Sequence, residues 1–334
     1  MTQIAIIGAG SWGTALAIMA ARAGHSVQLW SRDACVVSSI NGSHINPNYL
    51  SETVIPHLVT ATDSIEQALR KSRLVLLATP SHAVRTILNE MNAYVIQSSI
   101  IISVAKGIEI ETGKRISELV LEVMGSEFAH SFVCLSGPSF AKEVVAHHPT
   151  AIVAASQNET AAQTVQSELS YENLRIYTNA DVAGTELGGS VKNVMAIAAG
   201  MTAGLKFGSN SVAALITRGL AEMTRLALSQ GAQIETMSGL AGLGDLVLTC
   251  TGRLSRNRFV GEQLGKGRTL EEITAGMHEV AEGIKTSRAV KRLAARAGVE
   301  MPITNVVEAV LYSGLSVKAA VAELMTRPLR AETE

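Results

Sequence analysis

The apolar run Ile4 to Ile7 leads directly into Gly8-Ala9-Gly10-Ser11-Trp12-Gly13, and that loop leads into the helical pattern Thr14 to Ala23. This order of strand, G-x-G-x-x-G and helix constrains the fold more than any other feature of the chain. Gly8 permits the tight turn, Gly10 lets a pyrophosphate approach the main chain, and Gly13 lets the helix pack closely on the strand. The helix N-terminus then faces the phosphates. A second strand, Val27 to Trp30, follows at the distance a βαβ unit requires, so a bound dinucleotide is expected, with S-adenosylmethionine or flavin as the other ligands of such a loop.

An NAD-preferring chain commonly carries Asp or Glu at the end of that second strand, to receive the ribose hydroxyls. Here Ser31 and Arg32 follow Trp30. A guanidinium pairs with a 2′-phosphate, which favours NADP(H), while the neighbouring Asp33 keeps NAD(H) possible.

Further runs rich in Ile, Val and Leu recur at Leu74 to Ala78, Ile100 to Val104, Phe132 to Leu135 and Ile152 to Ala155, with helical segments between them. Continuous apolar runs indicate strands buried on both faces, hence a parallel sheet. Helices are expected at 63–70, with Asp63 as N-cap, and at 112–124, starting at Thr112. After about residue 185 the β-branched runs give way to Ala-, Leu- and Met-rich segments. Asn210 to Gly231, a capping box at Thr269 and Glu272, and Glu282 to Gly298 all read as helices. The expected fold class is therefore α/β, with a Rossmann-type dinucleotide-binding domain over 1–185 and an all-helical substrate domain over 186–334. At roughly 100 to 200 residues per domain, a chain of 334 residues has room for both.

The charge balance, 28 Lys and Arg against 29 Asp and Glu, excludes a polybasic nucleic-acid binder and an acidic tail protein. Cys35, Cys134 and Cys250 are odd in number and widely spaced, so neither a disulfide framework nor a zinc site is expected, and a cytoplasmic location fits. No Lys or Arg precedes Arg22, which argues against a signal peptide. The mean hydropathy of +0.25 is high, but no stretch of about 18 residues is purely apolar, so no integral membrane segment is expected.

Two isolated charges carry the chemistry of the second half. From Leu187 to Leu205 the sole charge is Lys192, and between Thr236 and Gly252 it is Asp245. Desolvation disfavours an ammonium, so a lysine in an apolar helix readily exchanges its proton unless it snorkels out to water. Asp245 needs donors; Lys192 is one candidate, a local turn cap the other. Ser255 can cap a helix whose start, with Arg256 and Asn257, makes an anion cradle. Lys106, Gly137 and Ser139 follow strands at the carboxyl edge, where open parallel sheets bind ligands. The eight histidines show no metal-type pair, and no metal is expected.

Together, GAGSWGTALA at the start, NPNYL at 46–50, SVAKGIE at 103–109, LSGPSFAKEV at 135–144, GSVKNVMAIAAG at 189–200 and GLGDLVLTCTGRLSRNRFVG at 242–261 resemble the soluble bacterial NAD(P)-dependent glycerol-3-phosphate dehydrogenases over nearly the whole chain. The resemblance implies that Lys192 donates and accepts the proton and that Lys106 contacts substrate and cofactor. It also implies that Gly137, Ser139, Asp245, Ser255, Arg256 and Asn257 line the substrate site, with Lys106, Lys192 and Asp245 as the catalytic set. Ser11, Trp12, Arg32, Ala141, Arg256, Val280 and Glu282 would contact the cofactor.

The expected function is reversible reduction of dihydroxyacetone phosphate to sn-glycerol 3-phosphate, its place in phospholipid synthesis implied by resemblance alone. The partner is then a phosphorylated triose, and a homodimer is expected. Two alternatives remain: a dehydrogenase of another small hydroxy acid, which would not need the Arg256-Asn257 cradle, and a non-catalytic NADP-binding sensor, which would not need Lys192 and Asp245.

Overall fold

The structure is a computed structural model and describes residues 2–277, 281–329 and 331–332. Val280, expected at the cofactor, lies outside the described residues. One eight-stranded sheet organises the first half, with β1 (Gln3–Ile7), β2 (Ser26–Trp30), β3 (Val59–Thr62), β4 (Leu74–Leu77), β5 (Ile100–Ser103), β6 (Val133–Ser136), β7 (Thr150–Ala155) and β8 (Leu174–Asn179) in the order β3-β2-β1-β4-β5-β6-β7-β8. Successive side chains point to opposite faces, so Ile4 and Ile6 pack into one apolar layer while Ala5 and Ile7 pack into the other.

The pairing is parallel throughout except between β6 and β7, where Cys134 stands opposite Ala155 in an antiparallel register. The expected all-parallel sheet is corrected at that one ladder. Two strands without a continuous apolar run, β3 and β8, close the edges. The segment at 112–124 becomes helical only at Ile116, because the Thr112 hydroxyl donates to Glu109 and accepts from Lys114 N. Ser64, not Asp63, caps the helix Ile65–Leu69.

Strand order reverses between β1 and β4, and that switch point opens a crevice at the carboxyl ends. Beyond β8 the described chain is helical, built around the helix Val182–Gly204, whose N-terminus Asp181 caps by accepting from Gly184 N at 2.8 Å. Val191, Met195, Met223, Val260 and Val290 form the core of this half. The helix Arg256–Gly265 lies on Val182–Gly204 with no side chain between the backbones. A Cβ on Gly200 would meet Arg258 O at 2.0 Å, and one on Gly261 would meet Ile197 O at 1.9 Å. Among the described residues no helix is long and apolar enough to cross a membrane.

Candidate active site

A cleft of about 570 Å³ runs from the glycine turn to the start of the helix Arg256–Gly265. At one end Gly8 has φ +124°, and a Cβ there would stand 2.7 Å from Ala78 O, so only glycine makes this turn. A Cβ on Gly13 would be 1.9 Å from Gly8 O, which is the close helix-on-turn packing read from the sequence, while Gly10 faces open space. Two buried polar atoms of the cleft wall, Trp12 Nε1 and Thr79 Oγ1, have no hydrogen-bond partner among the described residues. Orphaned buried groups are rare in folded chains, so these two, together with the open approach to Gly10, fit a ligand rich in hydrogen-bonding atoms.

Arg32 is exposed at the carboxyl end of β2 and lines the cleft. Asp33, the residue that kept NAD in play, also serves as a cap: its Oδ1 accepts from Cys35 N at 2.9 Å and caps the helix Ala34–Ser43. The cap uses one carboxylate oxygen, so Arg32 and Asp33 both stand at the ribose corner of the cleft.

At the other end Asp245, 1% exposed, sits between two lysines. Lys192 Nζ donates to Asp245 Oδ1 at 2.6 Å and to Thr249 Oγ1 at 2.7 Å, while Lys106 Nζ donates to Asp245 Oδ2 at 2.8 Å and to Gly137 O at 2.8 Å. A wide turn produces this placement. Gly244 N donates to Gly239 O at 3.0 Å, five residues back, and the π-helical turn Leu240–Gly244 delivers Asp245 at its end. Burial above all, opposed by the pull of Asp245 and helped by the neighbouring Lys106, lowers the Lys192 pKa to about 8.

Beyond the lysines, Ser255 caps the helix Arg256–Gly265 by accepting from Arg258 N at 3.2 Å. Asn257 Nδ2 donates to Asn193 Oδ1 at 2.9 Å, and Asn193 Nδ2 donates to Lys106 O at 3.0 Å. Glu282 accepts from Ser81 N at 3.1 Å across the cleft.

Sequence models of the NAD-dependent glycerol-3-phosphate dehydrogenase N-terminus and C-terminus match residues 3–162 and 181–322. The glycerol-3-phosphate dehydrogenase [NAD(P)+] of Koribacter versatilis (strain Ellin345) is 53% identical over 334 residues, 99% of each chain. That of Myxococcus xanthus (strain DK1622) is 49% identical over 327 residues, 98% of each. The crystal structure of glycerol-3-phosphate dehydrogenase from Coxiella burnetii superposes with a TM-score of 0.93 at 39% identity, covering 98% of this chain and 99% of that one. The chain belongs to the NAD-dependent glycerol-3-phosphate dehydrogenase family.

Of the site residues expected in this family member, Gly8, Gly10, Ser11, Trp12, Arg32, Lys106, Ser139, Lys192, Ser255, Arg256, Asn257 and Glu282 line one cleft. Gly13, Gly137, Ala141 and Asp245 do not reach its wall. Gly13 packs under the turn, Gly137 offers its carbonyl to Lys106 from behind, Ala141 packs on the sheet core, and Asp245 sits beneath the two amines. Among the wall residues that the sequence reading did not assign, Thr249 and Asn193 bond into the lysine and amide network. Thr249 lies one turn after Asp245 and so on the same helix face, a spacing that could have identified it; Asn193 stands beside Lys192 but its role needs the distant Asn257.

Proposed function

We propose that the glycine turn, Arg32 and Glu282 hold NADPH along one side of the cleft and that Lys106, Lys192, Arg256 and Asn257 hold dihydroxyacetone phosphate on the other. The chain catalyses the reaction of its family, reversible NAD(P)H-dependent reduction of dihydroxyacetone phosphate to sn-glycerol 3-phosphate, which supplies glycerophospholipid synthesis. The observation that carries the assignment of roles is the pair of lysines on one buried carboxylate, facing a cleft with a dinucleotide turn at one end and a capped helix start at the other. A non-catalytic sensor has no need of the first, and membership over the full length disfavours another hydroxy acid.

NADPH, when bound, supplies the hydride. Arg256, Asn257 and the N–H groups at the start of their helix bind and orient the phosphate. Two N–H groups of Lys192 are engaged by Asp245 and Thr249, which aims the remaining one, and with Lys106 it polarises the carbonyl. Lys192 then gives its proton to the developing alkoxide, leaving a neutral amine that takes a proton back from water. Asp245 is a positioning residue here: its two oxygens accept from both amines and fix them.

The lowered Lys192 pKa sets a pH profile. Reduction needs the ammonium, so its rate should fall as pH rises through about 8; oxidation needs the amine, so its rate should climb through the same value. Steady-state kcat in both directions checks this, and a reduction rate unchanged between about 8 and the ordinary lysine value of 10.5 counts against Lys192 as the acid.

Cofactor choice is tested at Arg32. Absorbance at the nicotinamide band with dihydroxyacetone phosphate should show NADPH preferred over NADH, and Arg32→Asp should weaken NADPH by about tenfold or more while sparing NADH, because a charge-assisted pair becomes a like-charge contact. Equal losses for both cofactors would show that Arg32 does not read the 2′-phosphate.

The domain boundary near residue 185, a homodimer and a cytoplasmic location are likewise our reading. The absence of strands among the described residues after Asn179, the exposed Phe207, Leu228 and Ile234 in the helical half, and three unpaired cysteines support them in turn.

A further inference from the structure

The NPNYL segment contributes no group to the proton-transfer or phosphate-binding chemistry, yet Asn46 is 0% exposed and every hydrogen-bonding position of its amide is used. Its Nδ2 donates to Ala9 O at 2.9 Å and to Thr14 Oγ1 at 2.9 Å. Its Oδ1 accepts from Asn48 N at 3.1 Å and Tyr49 N at 3.2 Å. The reversed amide would face donor with donor, so the network fixes which end is which.

Each bond ends on a segment that faces the cleft. A trans peptide holds C=O and N–H antiparallel, so by fixing the Ala9 carbonyl toward itself Asn46 directs the Gly10 N–H the opposite way. On its other side the turn presents Asn48 and Tyr49 to the cleft wall, and Asn48 Nδ2 reaches Asp33 Oδ2 at 3.5 Å, beside Arg32. One buried side chain thus joins the pyrophosphate turn to the ribose-phosphate corner.

We propose that Asn46 is a positioning residue for the cofactor, holding the glycine turn in register with the corner that carries Arg32. This rests on the reading that NADPH occupies the cleft. Its bonds to the glycine turn serve the part common to NADPH and NADH, so their loss weakens both cofactors equally, unlike a change at Arg32.

The test is Asn46→Asp, which keeps size and the two accepted bonds but has no N–H to give and sets a carboxylate against the Ala9 carbonyl. Both tryptophans of the chain, Trp12 and Trp30, line the cleft, so quenching of intrinsic fluorescence reports cofactor affinity without turnover. Leaving buried partners unpaired should raise the Kd for NADPH and for NADH by about tenfold or more, with the KM for NADPH rising in parallel. The KM for dihydroxyacetone phosphate and kcat at saturating NADPH should stay within about twofold, a split that general loosening of the fold would not give. A folded variant whose cofactor Kd is unchanged overturns the proposal, as does one that loses kcat and substrate KM in the same proportion. Should Asn46→Asp not fold, Thr14→Val removes one of the two acceptors and must weaken both cofactors in the same sense; an unchanged Kd there is equally decisive. Arg32→Asp, titrated alongside, separates the two levels: if it too leaves NADPH binding untouched, the placement of the cofactor fails, whereas selective weakening there beside a silent Asn46 variant sinks the positioning role alone.

Discussion

Replacing Lys192 with methionine should abolish turnover while leaving NADPH binding and the fold nearly intact. Lys192 is 5% exposed in an apolar helix, so methionine suits the site in volume and polarity. Asp245 would keep Lys106 at 2.8 Å and so would not become an unpaired buried charge, the usual cause of severe destabilisation when one partner of a buried pair is removed. What disappears is the proton for the alkoxide. Loss of a positioned acid costs about two to four orders of magnitude in rate. The measurement is kcat on protein shown to be folded by its thermal transition and cofactor-competent by titration. If that protein retains more than about a tenth of wild-type kcat, Lys192 is not the acid.

The second large effect is expected at Arg256. Wild-type enzyme should use dihydroxyacetone phosphate far better than dihydroxyacetone if, as proposed, the phosphate anchors to the guanidinium, to Asn257 and to the helix start capped by Ser255 and so orients the ketone. Arg256→Ala should remove most of this preference, with kcat/KM falling for the phosphorylated substrate and changing little for the other. Arg256→Lys should restore it only in part, since a point charge replaces the planar fork. The four comparisons are made at saturating NADPH. A loss of the same factor on both substrates would assign Arg256 to structure or cofactor and send the phosphate elsewhere. Arg256 is exposed at the start of its helix, and the thermal transition of each variant, measured alongside, separates a loss of fold from a loss of phosphate recognition.

The parts of this architecture that were legible in the sequence are those where one local pattern has one physical solution. The glycine turn could be placed because Gly8, Gly10 and Gly13 each answer a separate steric demand. Strands buried on both faces announced themselves as unbroken apolar runs. β8 did not, because as an edge strand its Leu174 and Ile176 are buried while Arg175 and Tyr177 face water, and β3 spans only Val59–Thr62 with Thr60 exposed. The direction of β7 was illegible for a different reason: a strand covered on both sides has the same composition whichever way it runs.

Site residues divide the same way. Lys192 and Asp245 stood out as charges where charge is costly, and Ser255 as a cap. The pairing of Lys106 with the second oxygen of Asp245 spans 139 residues of chain and follows only from the packing of the helical half on the sheet edge. The same holds for the amide relay from Asn257 through Asn193 to the Lys106 carbonyl: Asn257 is marked by its helix start, but its link to Asn193 is not.

The glycine seam between the helices Val182–Gly204 and Arg256–Gly265 has a metrical consequence. One helix carries Lys192, proposed to meet the carbonyl oxygen, and the other begins at the proposed phosphate cradle. Because a Cβ at Gly200 or Gly261 would strike the other helix's main chain, sliding either helix would drive a side chain into backbone. On the proposed assignment the span from cradle to amine is a fixed gauge, against which a substrate is measured by the number of bonds between its phosphorus and its carbonyl carbon. A carbon skeleton one bond longer would carry its carbonyl past the amine by about 1.5 Å, and a misplacement of about 1 Å at a reacting atom can cost a hundredfold in rate. On that assignment chain length is selected by two helices held from sliding past each other, with no wall needed to turn the wrong homologue away.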